Sequence, residues 1–172
     1  APFQTTVTIS GFDPGTTISS ATDITNICLD MEHSAVDDIT ITLIAPSGER
    51  LVLHNRGGGA TVLGNPVMDA NAFQSGTCDW GYGSAPSGPG DAFTYCFNSG
   101  ASETWKDHGD ANWNFNCYQM PAGDYLPVDN YNNLFGADVN GTWTIEIEDV
   151  SGNDDGYLMG WTISFDPSLL PA

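Results

Sequence analysis

A period of two governs both ends of this chain. Phe3, Thr5, Val7 and Ile9 alternate with Gln4, Thr6 and Thr8, which sets an apolar-leaning row and a polar row on opposite faces of an extended strand. The same spacing returns where Ile27, Leu29 and Met31 alternate with Cys28, Asp30 and Glu32, and where Ile39, Ile41 and Leu43 alternate with Thr40 and Thr42. Leu51 and Leu53 follow Pro46-Ser47-Gly48, a turn signal. Near the other end Trp143, Ile145 and Ile147 alternate with Thr144, Glu146 and Glu148, and Trp161, Ile163 and Phe165 alternate with Thr162 and Ser164. No segment carries a convincing helical period. Short half-buried strands separated by Gly, Pro, Asn and Asp turns predict an all-β fold, a jelly-roll β-sandwich of two antiparallel sheets with about eight strands.

Between residues 55 and 136 the alternation collapses into a stretch rich in Gly, Asn, Asp and aromatic residues, which we read as an irregular insertion within one domain spanning 1–172. It contains Cys78, Cys96 and Cys117, and Cys28 lies on the strand before it. No CxxC spacing or neighbouring His pattern accompanies these cysteines, so disulfides in an oxidising compartment are favoured over zinc. Four cysteines allow three pairings. Cys28–Cys96 with Cys78–Cys117 is preferred, because Cys28 shares the outward phase of Asp30 and would fasten the insertion onto the sheet.

Charge narrows the function classes. The 22 Asp and Glu against Arg50, Arg56 and Lys106 give a formal net charge of −19, which repels phosphate backbones and excludes nucleic acid as an expected partner. Aromatic residues make up 11% of the chain, too many for a disordered acidic tail. The acids must therefore cover a folded surface with few Lys or Arg to relieve them, which calls for bound cations. No stretch is long and apolar enough to span a membrane, and Ala1-Pro2-Phe3-Gln4 lacks the features of a signal peptide. A secreted or surface-exposed monomer is expected.

Two segments, taken in order, resemble the P domain (Homo B) found beside subtilisin-like proprotein convertases. His33-Ser34-Ala35-Val36-Asp37-Asp38-Ile39-Thr40-Ile41-Thr42-Leu43-Ile44-Ala45-Pro46-Ser47-Gly48 is similar to the family's H-T-x-x-G-D-L-x-I-x-L-x-S-P-S-G. Asn140-Gly141-Thr142-Trp143-Thr144-Ile145-Glu146-Ile147-Glu148-Asp149, continuing through Asp154-Asp155-Gly156-Tyr157-Leu158 to Trp161-Thr162-Ile163-Ser164-Phe165, resembles G-T-W-T-L-x-I-x-D … D-x-G-x-L-x-x-W-x-L-x-F. Asp37 departs from the family, which usually has Gly there, and the long insertion is closer to variants on bacterial secreted or surface proteins. The resemblance implies a jelly roll and a non-catalytic role stabilising or targeting an adjacent protease or other domain of the same precursor.

Ca²⁺ is the expected ligand, since a hard cation takes about six to eight oxygens and this chain clusters them in turns. Asp30 and Glu32 with Asp37 and Asp38 form one group, and Asp149 through Asn153, Asp154 and Asp155 form a second. By the resemblance, Asp38, Asp149 and Asp154 hold the family's characteristic acidic positions. The plain alternative is that these Asp residues make local turn hydrogen bonds. Asp110-x-Asn112-x-Asn114-x-Asn116 imitates the start of an EF-hand loop without its Gly or distal Glu, and Asp69 is a further oxygen donor.

Catalysis finds little footing. His33, His54 and His108 are the only histidines and no G-x-S-x-G elbow is present. His33 falls at the family's strand-end His and is expected to be a structural hydrogen bonder, His54 to continue an outer strand face, and His108 to lie in a charged loop. Asn140-Gly141-Thr142 reads as a tight turn before it reads as a glycosylation sequon. The second functional reading is a stand-alone adhesion module binding a polysaccharide, another polymer or a surface protein. Trp80, Trp105, Trp113 and Tyr118 of the insertion would then form the exposed platform; the plain alternative is that some of these rings form the insertion's own small core around its disulfides. Trp143 and Trp161 are assigned by phase to the core.

Overall fold

The computed structural model describes residues 1–66, 88–113, 118–150 and 156–171. In chain order they form β1 (Phe3–Ile9), β2 (Ile24–His33), β3 (Ile39–Ile44), β4 (Arg50–Asn55), β5 (Thr61–Leu63), β6 (Phe93–Phe97), helix α1 (Trp105–Asn112), β7 (Tyr118–Met120), β8 (Gly123–Tyr125), β9 (Gly141–Asp149) and β10 (Gly156–Phe165). Every alternating run of the sequence becomes a strand, because each can bury one row of side chains and leave the other to solvent.

The strands build two sheets. One is antiparallel with order β1-β9-β3-β4. In the other, β2 pairs with β10 along one side and with β5 and β6 along the other, and β7 and β8 add beside β5 and β6. The β5–β7 and β6–β8 pairs are parallel, so the second sheet is mixed where an antiparallel one is expected from sequence. Leu29, Met31, Ile41, Leu43, Leu51, Leu53, Trp143 and Ile145 are fully buried between the sheets, as their phases require. Trp143 donates its indole N–H to the Val139 carbonyl at 2.9 Å, which satisfies the one polar atom of that buried ring. Trp161 is half-buried and packs against the core from β10.

The stretch read as an irregular insertion contributes strands to the second sheet. Tyr95 and Phe97 on β6 face the core, and Cys96, in the opposite phase, is directly across from Cys28 and bonded to it. The Cys28–Cys96 pairing thus holds; Cys78 and Cys117 lie outside the described residues. A helix also appears here. Thr104 caps α1, its Oγ1 accepting the Asp107 N–H at 3.1 Å, an S/T-x-x-D signature visible in the sequence. Gly109 hides this helix from a propensity reading, yet it is required: a Cβ there would stand 2.4 Å from the Gly58 carbonyl oxygen.

Three side chains sit differently from expectation. Trp105, proposed as part of an exposed platform, is 1% exposed and packs with His54, Tyr95, Phe97 and Tyr125, since α1 inserts its first residue between the sheets. His54 is buried rather than on an outer face, and its Nε2 donates to the Val36 carbonyl at 2.8 Å. Burial first of all pushes this imidazole down to about 4, which keeps it neutral near pH 7. His108 stands on α1, not in a loop, with Nδ1 2.7 Å from Glu103 Oε1 and Nε2 2.9 Å from the Tyr118 hydroxyl.

Candidate functional site

Two of the acidic candidates meet where β2 and β9 end and β3 begins. β2 runs out at His33; residues Val36–Asp38 then form one turn of 3-10 helix before β3 begins at Ile39. Ile39 is paired with Asp149, the last residue of β9, and the Val150 N–H donates to the Asp38 carbonyl at 3.1 Å. Asp38 and Asp149, more than a hundred residues apart in sequence, therefore occupy adjoining backbone positions.

His33 fixes this corner. Its Nδ1 accepts the Ala35 N–H at 3.1 Å, so the proton of the neutral ring belongs on Nε2, which lies 3.3 Å from Asp149 Oδ2 and donates to it. The ring also dictates its neighbour: a Cβ on Gly156 would stand 2.2 Å from His33 Cδ2. That contact explains the glycine of the Asp154-Asp155-Gly156 segment, since β10 can start beside β2 only if that position has no side chain.

The other acidic candidates are spread more widely. Asp37 lies in the same turn with Oδ1 buried. Glu32 is buried on β2, its Cβ 2.8 Å from where a Cβ on Gly64 would stand, whereas Asp30 is exposed and accepts the Thr94 hydroxyl at 2.6 Å. Asn153, Asp154 and Asp155 lie outside the described residues, as do Asp69, Asn114 and Asn116. Asp110 on α1 accepts the Gly58 N–H at 3.1 Å and pairs with Lys106. Among the described residues no three His, Cys, Asp or Glu side chains are grouped to hold a metal ion. Carboxylates are the right chemistry for Ca²⁺. A complete shell at this corner would need oxygens beyond Asp38 and Asp149.

Of the aromatic candidates, Trp80 lies outside the described residues and Trp105 is in the core. Trp113 lays its indole over Gly59, where a Cβ would fall 2.1 Å from Nε1, and Tyr118 is half-buried against His108. Asn140 holds residue Phe12 by both backbone groups, accepting its N–H at 3.2 Å and donating to its carbonyl at 3.0 Å. That amide thus ties the entry of β9 to Phe12, in the segment after β1, rather than closing a local turn.

Next to the corner, a cleft of about 420 Å³ opens between the edges of the two sheets. Phe3, Met31, His33, Ile147, Asp149 and Tyr157 are among its lining residues. Sequence reasoning missed it, because the cleft exists only once β1 and β10 are placed side by side. No helix among the described residues is long and apolar enough to cross a membrane.

Comparison with known proteins agrees with this arrangement. No curated protein sequence matches the chain. The family model for the proprotein convertase P-domain matches residues 23–85 and 94–165, a span that includes the His33 corner, the β9 and β10 motifs and the disulfide-linked β6. The two-sheet sandwich and that match together place this chain in the proprotein convertase P-domain family.

Proposed function

We propose that this chain is a non-catalytic, calcium-binding accessory domain of a secreted protein, stabilising or targeting an adjacent subtilisin-like protease domain of the same precursor. The observation that supports the reading most is the juxtaposition of Asp38 and Asp149 at paired strand ends, within a P-domain whose own bases are too few to neutralise its acids. Asp38, Asp149 and Asp154 are the ligands we propose for the ion, with Asp30, Glu32, Asp37 and Asp155 as further candidates from the sequence. A bound cation would relieve the repulsion among these carboxylates. A disulfide between neighbouring strands suits an oxidising, extracellular compartment. The adhesion reading is weakened, because Trp105 is committed to the core and Tyr118 to His108.

Melting the chain in millimolar Ca²⁺ and in chelator tests the metal. A ligand at about a hundred times its Kd adds roughly 2.7 kcal/mol to the folded state. The expected result is a higher midpoint in Ca²⁺ that Asp38→Ala and Asp154→Ala each diminish; an unchanged midpoint overturns it. Expression of the full precursor with and without this domain tests the accessory role, the expected result being loss of active protease when the domain is deleted.

A further inference from the structure

The cleft side of the sandwich ends in two strand edges of different kinds. β10 shifts register between Leu158 and Gly160 and again between Ser164 and Phe165, irregularities that blunt an edge against further pairing. β1 has none. Its seven residues, Phe3 to Ile9, pair with β9 without a shift, and they include no charge, proline or glycine. Among the described residues β9 is the only strand beside β1, and no turn or loop backbone bonds to residues 3–9. A straight, uncharged edge of this length is a template for another extended chain.

The other edge of the same sheet shows how this fold treats such a strand. Residues 128–129 lie along β4, the Val128 N–H donating to the Leu53 carbonyl and the Asp129 N–H to the Val52 carbonyl, each at 3.1 Å. Asp129 Oδ2 accepts the Val52 N–H in return at 2.9 Å. A bent loop segment thus covers part of β4, and β1 has the equivalent edge without that cover among the described residues.

Side chains near β1 specify the occupant. On the inward face Phe3 is 54% exposed at the cleft mouth, Val7 and Ile9 are half-buried, and Tyr157 and Leu158 line the opposite wall. Alternate apolar side chains of an added strand would close this gap. On the outward face Gln4, Thr6 and Thr8 stand beside Glu146, Thr144 and Thr142, where an added strand needs polar residues. Charge then selects among partners. A second copy would bring together two bodies each carrying −19, whereas a basic segment is attracted. We propose that β1 is an acceptor edge for an extended segment of a partner polypeptide, apolar on one face and bearing Lys or Arg on the other, which adds as a further strand to the four-stranded sheet. This inference stands apart from calcium and from the protease.

The experiment uses the whole chain and three labelled peptides of about eight residues, alternating valine–lysine, valine–glutamate and glycine–lysine, followed by fluorescence anisotropy at about 0.15 M salt and by amide hydrogen exchange. The valine–lysine peptide is expected to bind saturably and to slow exchange of amides in residues 3–9. The valine–glutamate peptide should bind at least about tenfold more weakly, and the glycine–lysine peptide should leave β1 exchange unchanged. Phe3→Ser, at an exposed position and expected to keep the parent's circular dichroism spectrum, should weaken the valine–lysine complex about threefold or more. Absence of binding, protection confined to other strands, equal protection by the glycine–lysine peptide, or self-association through β1 in sedimentation would each overturn the proposal.

Discussion

The two flanks of this sandwich are built on different terms. On one, residues 128–129 cover β4 and α1 drives Trp105 between the sheets, where it meets His54, Tyr95, Phe97 and Tyr125. On the other, β1 and β10 face each other across a cleft; no residue of β10 is fully buried, and Phe3, Tyr157 and Met159 are exposed. Strand pairing holds both flanks. What separates them is burial: Trp105 and its neighbouring rings are sealed on one flank, whereas every residue of β10 stays at least partly exposed on the other. Stability should therefore be concentrated on the covered flank and surface available for contacts on the open one.

The sharpest way to break that contrast is Trp105→Ala. Truncating a fully buried indole removes its apolar burial and leaves a cavity among four rings, so the expected loss is about 5 kcal/mol, at the upper end for Trp→Ala. Urea unfolding at neutral pH measures it. A loss below about 1 kcal/mol would mean that Trp105 does not seal the flank. Removal of the Cys28–Cys96 bond by a double Ala substitution comes next. It closes a loop with a sequence separation of 68, for which the chain-entropy model gives about 4 kcal/mol. The same unfolding experiment on the variant checks it, and an unchanged midpoint would remove the disulfide from the account of how β6 is held to β2.

These features were unequally legible in the sequence. Period-two runs located both long motifs and the inward phase of Trp143, because burial of one strand face is written directly into alternation. Cys28 and Cys96 were paired from the outward phase of Cys28. By contrast, aromatic richness alone leaves Trp105 open between an exposed platform and a small core of the insertion, and its polar neighbours Thr104, Lys106 and Asp107 carry no alternation to decide it. The capping signature Thr104-x-x-Asp107 was the signal available, and it required that Gly109 be read as a close approach to Gly58 rather than as a break. His54 was misplaced for a related reason: β4 shifts register across from Ile41 and Thr42, and a bulge reverses the phase on which alternation depends. Of the acidic corner, Asp38 and Asp149 were found through two motifs, while their adjacency depends on the β3–β9 register, which no local pattern encodes.

His54 offers a pH-dependent view of the covered flank. Its unfolded value of 6.5 falls to about 4 in the folded state, chiefly through burial, so above pH 6.5 the ring is neutral in both states and costs nothing. Between 6.5 and 4 the unfolded chain takes up a proton that the folded one refuses, and stability declines as pH falls, by about 3 kcal/mol over the whole interval. Many carboxylates titrate in the same range, so the contribution is read as a difference. His54→Gln should show a shallower fall in stability between pH 6.5 and 4 than the parent chain. Parallel curves for the two proteins would show that His54 does not hold a neutral ring against Trp105.

The smallest effect belongs to the open flank, and its smallness is the point. Tyr157 and Met159 on β10 are 37% and 47% exposed, so Tyr157→Ser and Met159→Ser remove little buried area and break no bonded network described for this strand. Each should change unfolding free energy by less than about 0.5 kcal/mol, a shift of at most about 2 °C in Tm for a chain of this size. Differential scanning calorimetry on the parent and the two variants resolves that difference. If either substitution cost about 2 kcal/mol or more, the β10 edge would be bearing stability in the isolated chain, and the division between a flank that holds the fold and a flank that faces outward would fail.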